Sequence, residues 1–193
     1  MLLETKKEFE GLLIKKEVCI KADLKHTLFS HCQFEGCDFT ESDFTSSKFI
    51  ECHLRNCNLS LVKLEGTRLQ NISFVDCKFV GVNFGKSDPL FLSLKFSKCL
   101  IDTCNFSDLD LKSTAFLECM MRESFFSNCN LSKSDFSGSD LRGSTFHNTN
   151  LGGANFQNAI NYSINPATNL LKNARFSSPE VLALLNHFEI VIE

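Results

Sequence analysis

A large apolar residue at every fifth position is the feature that most constrains how this chain can fold. The spacing is unbroken from Leu24 to Phe84 and again from Phe96 to Phe156, and nearly all of these central residues are Phe or Leu. A period of five fits neither the 3.6-residue turn of an α-helix nor the two-residue alternation of a β-strand. Because sustained repetition at a short fixed period is typical of solenoids, the sequence predicts a solenoid.

A second column of side chains lies two residues before each central residue. In most repeats this position holds a small residue, as at Cys32, Ser42, Cys129 and Ser134, and the three remaining positions are mostly polar. One large and one small inward residue in every five describe a narrow tube with a packed interior and a polar outer surface.

The stretches Cys129-Asn-Leu131 and Ser134-Asp-Phe136 show the form of the whole series: a small residue, then Asp or Asn, then Leu or Phe. Over residues 20–160 this pattern resembles that of the pentapeptide-repeat family. The resemblance implies an all-β fold, a right-handed quadrilateral parallel β-helix in which four repeats form one turn and residues twenty apart stack. The repeats between Leu24 and Phe156 then make six to seven turns.

Three segments are predicted from the extent of the pattern. Residues 20–160 form the β-helix, residues 1–19 lead into it, and residues 161–193 follow it as a C-terminal module. The solenoid could begin earlier, because three residues of the lead-in already keep the five-residue phase: Phe9, Ile14 and Cys19.

Ten cysteines raise the question of disulfides or a metal site. All except Cys19 occupy the small inward column, and the twenty-residue stack places Cys57 between Cys37 and Cys77. Burial as small apolar side chains explains this placement without redox chemistry or metal binding. Because stacked thiols oxidise where they are exposed, we expect a reducing, cytoplasmic location, with no metal and no cofactor.

Catalysis and several other classes of function find little support in the residues. The five histidines fall on different faces or ends under the twenty-residue rule, and neither a Gly-rich phosphate loop nor a nucleophile-elbow motif is present. A net charge of −3 gives no argument for nucleic-acid binding, and no apolar run has the length of a membrane span. We therefore expect a protein that is not an enzyme and takes no small-molecule substrate.

The five-residue phase breaks once, because residues 85–95 hold two more residues than the repeat requires. Within them Ser87-Asp88-Pro89 is a turn signal, so a small outward loop is predicted. A tolerated insertion at a corner is one interpretation. The other is a partner contact, because loops on a rigid scaffold often carry binding residues. Its acidic and apolar side chains would be Asp88, Leu90 and Phe91.

A helix is predicted near the C-terminus, because Ser178 suits the N-cap, Pro179 the first helical position and Glu180 the first turn. The apolar residues that follow must bury against something, either the end of their own tube or a second copy of the chain. We expect a short strand over residues 189–193 and a homodimer contact formed by seven side chains: Val181, Leu182, Leu184, Leu185, Phe188, Ile190 and Ile192.

A terminal helix and strand of this kind resembles the dimerisation module of the topoisomerase-protecting pentapeptide-repeat proteins, the Qnr, MfpA, McbG and AlbG group. Residues 57–61, 74–78, 143–149 and 174–180 are most similar to the albicidin-resistance member. The resemblance implies a homodimeric rod that binds DNA gyrase or topoisomerase IV in place of DNA. Such a rod protects the enzyme from poisons such as quinolones, albicidin or a microcin.

Mimicry of DNA would use carboxylates in the outward columns. The alternative is that each is an ordinary solvated charge, and the mild net charge argues against a uniformly anionic rod. Mimicry therefore requires the acidic residues to concentrate on one or two faces. The twelve candidates are Asp38, Glu41, Asp43, Glu51, Asp76, Asp102, Asp108, Asp110, Glu118, Glu123, Asp135 and Asp140.

Apolar residues also occupy outward positions that the repeat usually gives to polar ones. Leu100, Met120 and Phe125 stand just before a centre and Leu117 just after one, and the stacking rule places Leu100 directly below Met120. Drift in degenerate repeats is one explanation, and a patch for a protein partner is the other. Two functions therefore remain: a topoisomerase-protecting factor, or a non-catalytic scaffold or regulatory protein with a different partner.

Overall fold

The computed structural model describes Leu3, residues 6–188 and residues 190–191 of the 193-residue chain. The backbone winds into a right-handed parallel β-helix of about eight turns, which confirms the predicted fold class. Each turn passes through four faces. We number them in chain order, so that Phe29 lies on face 1, Phe34 on face 2, Phe39 on face 3 and Phe44 on face 4.

Residues twenty apart lie side by side on each face in parallel register, as Phe29 does with Phe49 and Phe34 with Leu54. Isolated bridges continue the pairing where no full strand forms. The strands of face 1 are β1 (Glu8–Glu10), β3 (Leu28–Ser30), β5 (Lys48–Ile50) and β7 (Arg68–Gln70).

Face 2 carries the longest series of strands: β2 (Leu13–Lys15), β4 (Gln33–Glu35), β6 (His53–Arg55), β8 (Ile72–Val75), β10 (Leu94–Ser97), β12 (Ala115–Leu117), β16 (Asn155–Phe156) and β18 (Arg175–Phe176). The strands of face 3 are β9 (Lys78–Val80), β11 (Leu100–Asp102) and β13 (Met120–Arg122). Those of face 4 are β14 (Phe125–Ser127), β15 (Thr145–His147) and β17 (Ser163–Ile164).

The residue two positions after each centre turns the chain through a corner. It adopts a positive φ, for example 53° at Asn56 and 56° at Asn128, a conformation that Asn, Asp and Gly tolerate best. At Gly81, where φ is 65°, an added Cβ would lie 2.9 Å from Cδ2 of Leu61 on the neighbouring turn, so that exposed side chain would have to shift. Corners of this kind give the tube its square section.

The small inward side chains bind each turn to the one before it. Ser47 Oγ donates to the carbonyl of Leu24 at 2.6 Å, and Cys77 Sγ donates to the carbonyl of Leu54 at 3.4 Å. Each such donor is buried and satisfied, as an interior polar group must be. The repeat favours Ser, Thr and Cys at this position because they are small and can also make this bond.

Phenylalanine rings fill the C-terminal half in two columns, on the opposite faces 2 and 4. Phe116 stacks between Phe96 and Phe136 with centroid distances of 5.1 and 4.9 Å. Phe106 and Phe126 stack on face 4 at 5.0 Å. The two columns meet edge to face, as Phe116 does with Phe126 at 5.9 Å, which is a favourable aromatic arrangement.

The N-terminal half is filled turn by turn instead. Residues 34–49 carry Phe at all four centres of a turn, and residues 54–69 carry Leu at all four centres of the next. Because Leu is smaller than Phe, a wholly apolar cavity of about 20 Å³ remains on the axis. The side chains around it are Phe44, Phe49, Leu54, Leu59, Val62, Leu64, Leu69, Ile72, Phe74, Phe79 and Phe84.

The two extra residues of segment 85–95 are accommodated on face 1. The chain makes a 3₁₀ turn at Phe84–Lys86 and then leaves the face as a loop over residues 87–93. Strand β10 resumes the register with Leu94 beside Ile72, 22 residues earlier. The loop therefore displaces one repeat of face 1 and leaves the other three faces continuous.

The coil extends beyond residues 20–160 at both ends. Phe9 and Ile14 are buried centres whose strands pair with the next turn, and at the other end Ile164 pairs with Phe146. Further on, Phe176 still stacks on the aromatic column of face 2. Degenerate repeats thus fill inward positions outside the clear pattern, and they bring the six to seven turns predicted for residues 24–156 to about eight for the whole coil.

A 3₁₀ helix over Glu180–Phe188 follows the last strand and lies against β17. The N–H of Val181 donates to the carbonyl of Ser177 at 3.0 Å and closes the first turn. The strand predicted over residues 189–193 falls mostly outside the described residues. Its two described members, Ile190 and Val191, are not part of a strand.

Candidate partner-binding surfaces

Seven of the twelve candidate carboxylates lie on face 3 or on the two corners that border it. Parallel bridges fix Asp38 beside Val18 and Asp140 beside Met120 on this face, and Asp102 ends β11. The corner residues Asp76 and Glu118 border face 2, and Glu41 and Glu123 border face 4; all four have the positive φ of a corner. The remaining five are distributed over the other faces and corners: Asp43, Glu51, Asp108, Asp110 and Asp135.

Basic side chains neutralise part of this acidic surface. Lys21 Nζ lies 3.5 Å from Glu41 Oε2, Lys98 Nζ lies 3.9 Å from Glu118 Oε2, and Arg142 Nη2 lies 3.6 Å from Asp140 Oδ2. Lys78 and Arg122 also project from face 3. Face 3 is therefore the most acidic side of the rod in number of carboxylates, but its charge is mixed.

Several of the carboxylates have a structural role within their own repeat. Asp38 Oδ1 accepts hydrogen bonds from the N–H and the hydroxyl of Thr40, at 2.9 and 2.5 Å, and Asp140 Oδ1 accepts one from the N–H of Arg142 at 3.1 Å. The same local bond is made by Asp43, Asp110 and Asp135. The position before a centre therefore favours Asp or Asn for local reasons, whether or not a partner binds there.

Asp43 is a carboxylate with two lysine ammonium groups beside it. Partial burial would raise its pKa, but hydrogen bonds from the hydroxyl and N–H of Thr45 and the charges of Lys25 and Lys63 outweigh that effect, so the pKa lies below its usual range. The two ammonium groups lie 3.8 and 3.9 Å from Oδ2. This carboxylate, on face 4, is thus largely compensated within the chain.

The apolar outward residues form one patch at the middle of face 3. Leu100 and Met120 are register partners on β11 and β13, as predicted, and Leu117 ends β12 at the adjoining corner. Met120 is 42% exposed and Phe125, across the corner on face 4, is 47% exposed. Ile160 is a further exposed apolar residue of this face that was not recognised from the sequence, but Asp140 lies between it and Met120.

The loop over residues 87–93 stands on face 1, on the opposite side of the rod from this patch. Asp88 Oδ1 accepts the N–H of Leu90 at 2.9 Å, and both Leu90 and Phe91 are about two-thirds exposed, at 66% and 63%. The guanidinium of Arg68 lies 4.2 Å from the centroid of the Phe91 ring, a cation–π contact that holds the tip. The structure therefore does not bring the loop together with Leu100, Leu117 and Met120.

Face 1 of the C-terminal half carries amide ladders that were not predicted from the sequence. Asn130 Nδ2 donates to Asp110 Oδ1 at 3.0 Å, and Asn150 Nδ2 donates to Asn130 Oδ1 at 3.3 Å. A parallel ladder with bonds of 2.9 Å runs through the corner residues Asp108, Asn128 and Asn148. The available signal was Asp or Asn recurring at intervals of twenty. Two of the candidate carboxylates are thus engaged in ladders on the side away from face 3.

The seven residues predicted to form a dimer contact separate into two groups. Leu184 packs against the core of its own chain and caps the tube, whereas Leu182, Phe188 and Ile190 are exposed by 47%, 53% and 55%. Val181 and Leu185 are half-buried, and Ile192 lies outside the described residues. One of the predicted side chains therefore caps its own tube, and the exposed ones remain available for contact with a second copy of the chain.

The cysteines form an inward column longer than the sequence indicated, because the insertion of two residues brings Cys99 into line with Cys77. The column runs through five buried thiols: Cys37, Cys57, Cys77, Cys99 and Cys119. Elsewhere in the core, burial raises the pKa of Cys52 to about 12 and of Cys104 to about 11. Thiols of this kind are protonated at neutral pH and are poor nucleophiles and metal ligands.

The described part of the chain contains no group of three or more His, Cys, Asp or Glu side chains arranged to hold a metal ion. Within the same residues, no helix has the length and apolar character needed to cross a membrane.

Comparison with known proteins places the chain in a family. The model of the pentapeptide repeat region matches residues 13–89 and 90–156. The chain is similar in structure to a trypsin-treated variant of QnrB1, described as a plasmid-mediated fluoroquinolone resistance protein, with TM-score 0.67, 19% identity, and coverage of 96% of this chain and 89% of that one. Full-length QnrB1 gives TM-score 0.58 and 14% identity over 95% of this chain and 100% of that one. A search of curated protein sequences gives no match. The protein belongs to the pentapeptide-repeat family.

Proposed function

We propose that this protein is a non-catalytic rod that binds a type II topoisomerase, DNA gyrase or topoisomerase IV, and protects it from a poison. Membership of the pentapeptide-repeat family supports the proposal, as does a fold like that of QnrB1, described as a fluoroquinolone resistance protein. The observation that carries it is the placing of seven candidate carboxylates and the exposed apolar patch on one side of the rod, face 3 and its corners.

Charge alone would make face 3 a poor substitute for DNA. Successive turns of the β-helix are about 4.8 Å apart, whereas a DNA strand carries a phosphate about every 3.4 Å, and the carboxylates of face 3 are interleaved with cations. The apolar patch around Met120 must therefore supply much of the binding free energy. In this mechanism the carboxylates orient the rod in a basic DNA-binding groove and the apolar side chains hold it there.

We also propose that two copies associate through the exposed apolar side of the C-terminal helix. Leu182, Phe188 and Ile190 would pack against their symmetry mates in a contact with two-fold symmetry. Sedimentation velocity of Leu182→Asp should then show a monomer where the wild type shows a dimer. Leu170→Asp is the control, because Leu170 is 66% exposed on the last turn but lies away from the helix. A wild-type monomer, or an unchanged mass for Leu182→Asp, would reject this contact.

The proposed function is tested by DNA supercoiling with purified gyrase in the presence of a fluoroquinolone. Adding the wild-type protein should restore supercoiling and reduce double-strand cleavage in proportion to its concentration. The same titration without the drug shows whether the protein inhibits the enzyme by itself. No rescue with any poison class, together with no binding to gyrase or topoisomerase IV, would remove the proposal.

A scaffold or regulatory protein with another partner is the second candidate. The mixed charge of face 3 and its ion pairs favour this alternative, because they suit a protein surface as well as a DNA-binding groove. Under this alternative, face-3 variants would leave supercoiling unaffected and would weaken binding to a different protein.

A further inference from the structure

We propose that a depression at the corner between faces 1 and 2 is a binding site for a small oxyanion such as phosphate. It is a surface cavity of about 300 Å³ beside the base of the 87–93 loop. Six of the seven residues around it are polar or charged, and the seventh, Ile72, is apolar: Glu51, His53, Asn71, Ile72, Ser73, Ser93 and Lys95. This site is separate from face 3 and does not depend on the proposed function.

Three of these side chains stand on successive turns of face 2. His53 is the register partner of Ser73, and Ser73 is the register partner of Lys95. Because strands are about 4.8 Å apart, His53 and Lys95 are separated by about 10 Å at their Cα atoms, with a short serine between them. The two long side chains therefore border a gap in which a tetrahedral anion fits over Ser73.

The insertion provides the second row of the site. The N–H of Ser93 donates to the carbonyl of Leu69 at 3.0 Å, and the carbonyl of Ser93 accepts the N–H of Ile72 at 2.9 Å. Both backbone groups of Ser93 are thus engaged at the end of the loop, which fixes the residue beside Asn71 at the corner. The serine hydroxyl and the Asn71 amide add two neutral donors to the rim.

A hydrogen bond of 2.5 Å joins His53 Nδ1 and Ser73 Oγ. In the tautomer in which Ser73 Oγ donates to Nδ1, the ring N–H lies on Nε2, at the ring edge turned away from the serine. That N–H and the Lys95 ammonium are then the two principal donors to a bound oxyanion. Charge-assisted bonds of this kind are the strong ones in anion recognition.

The charge balance of the depression also favours an anion. Among the described residues, no carboxylate lies within 4.0 Å of the Lys95 ammonium, so no ion pair neutralises its charge. Glu51 is the one acidic group of the lining, and its Oε2 lies 3.3 Å from His31 Nδ1, on the side away from Lys95. Arg55 adds a further positive charge on the same strand as His53.

The test is a titration of the full-length, ¹⁵N-labelled protein with sodium phosphate at constant ionic strength, followed by amide NMR shifts. Saturable shifts confined to Ser73, Ser93 and Lys95 are expected, with a Kd on the order of millimolar. Lys95→Gln should weaken binding about tenfold, as expected for loss of a charged hydrogen bond. Lys78→Gln, at an equivalent exposed strand position on face 3, is the matched control and should leave the Kd unchanged.

Acetate titrated in the same way shows whether the site prefers phosphate to other oxyanions. Binding of phosphate but not acetate assigns the site to phosphate groups, and equal binding of both assigns it to oxyanions in general, including carboxylates. Shifts that grow linearly without saturation, or that are the same in Lys95→Gln, would overturn the proposal. A far-UV circular dichroism spectrum like that of the wild type verifies that each variant is folded.

Discussion

The two halves of the rod solve the same packing problem in different ways. In the N-terminal half, a turn of four Phe centres is followed by a turn of four Leu centres, and a cavity of about 20 Å³ remains between them. In the C-terminal half, Phe occupies faces 2 and 4 on nearly every turn and smaller aliphatic side chains occupy faces 1 and 3, so that rings stack continuously. Placing Phe and aliphatic residues on alternate faces of each turn thus fills the tube better than placing them on alternate turns.

The two halves also differ in the contacts that join neighbouring turns on their outer surfaces. The N-terminal half joins neighbouring turns through ion pairs, such as Lys15 with Glu35 at 2.7 Å and Lys21 with Glu41 at 3.5 Å. The C-terminal half also has such a pair, Lys98 with Glu118, but is joined mainly by ladders, such as Asn150 with Asn130. Each ladder begins at an aspartate, but its amide–amide bonds carry no net charge and do not titrate, whereas exposed ion pairs are screened by salt and lost in acid. We therefore expect the N-terminal half to be the less stable and the more sensitive to conditions.

Truncating one core side chain in each half should give the largest change in the free energy of unfolding and the clearest difference between the halves. Phe116→Ala deletes a fully buried ring held between two stacked neighbours and should lower the free energy of unfolding by about 4 kcal/mol. Leu59→Ala removes a side chain that already lines the cavity, and its cost should be about 2–3 kcal/mol because fewer contacts are lost. Guanidinium unfolding measures both, and equal costs would contradict the packing difference.

Adding a ring to each half should have effects of opposite sign. Leu64→Phe places a ring between Phe44 and Phe84 on face 4, beside the cavity, and should stabilise the protein by about 0.5–1 kcal/mol. Leu131→Phe places one on face 1 between the Phe126 and Phe136 centres, whose rings already meet edge to face at 6.2 Å, and should destabilise it by about 1–3 kcal/mol. Thermal unfolding compares the two, and destabilisation by both would show that the cavity cannot accept a ring.

Breaking an amide ladder should have a smaller effect. Asn128→Ala removes the bonds to Asp108 and Asn148 and places at φ 56° a residue that tolerates the left-handed region less well than Asn, so a loss of about 1–2 kcal/mol is expected. Asn128→Gly removes the same bonds but suits the backbone, and should cost less than about 1 kcal/mol. If the two variants are equally destabilised, the ladder accounts for the whole effect and the corner conformation for none of it.

Acid should weaken the N-terminal half through Asp43. Its pKa is lower in the folded protein than in the unfolded chain, so its contribution is fully present above the unfolded value, about pH 4, and is lost as the pH falls through the folded value. Between pH 7 and pH 3 the Tm of Asp43→Asn should therefore fall less than that of the wild type. The effect should be small because the group is near the surface, and an identical pH profile would show that Asp43 is not linked to stability.

The fold could be predicted from the sequence because the inward and outward positions of a five-residue repeat leave little choice. The prediction that Leu100 stacks on Met120 needed only the twenty-residue turn, and the structure confirms it. The coil has more turns than the six to seven predicted for residues 24–156, because degenerate repeats beyond that range, such as those of Ile14 and Tyr162, also fill inward positions. At the C-terminus, the sequence could not determine which apolar side chains cap their own tube, since this depends on how the helix lies on β17.

The candidate surface was less accessible to sequence reasoning. The acidic residues were identified, but their concentration on face 3 emerges only when every residue is assigned to a face across the two-residue insertion. The same insertion hid the alignment of Cys77 with Cys99, and it brings Lys95 beside Ser73, 22 residues earlier. Charge compensation also depends on side-chain conformations, as in the pairing of Arg142 with Asp140.

The claim that face 3 is the topoisomerase-binding side is tested most directly by measuring the Kd for immobilised gyrase with one charge placed on each side of the rod. Met120→Asp alters the face-3 patch, and Leu90→Asp alters the equally apolar but opposite loop. We predict that Met120→Asp weakens binding by about tenfold or more and that Leu90→Asp stays within about twofold of the wild type. Weakened binding by Leu90→Asp with Met120→Asp unchanged would place the contact on face 1 and contradict the account.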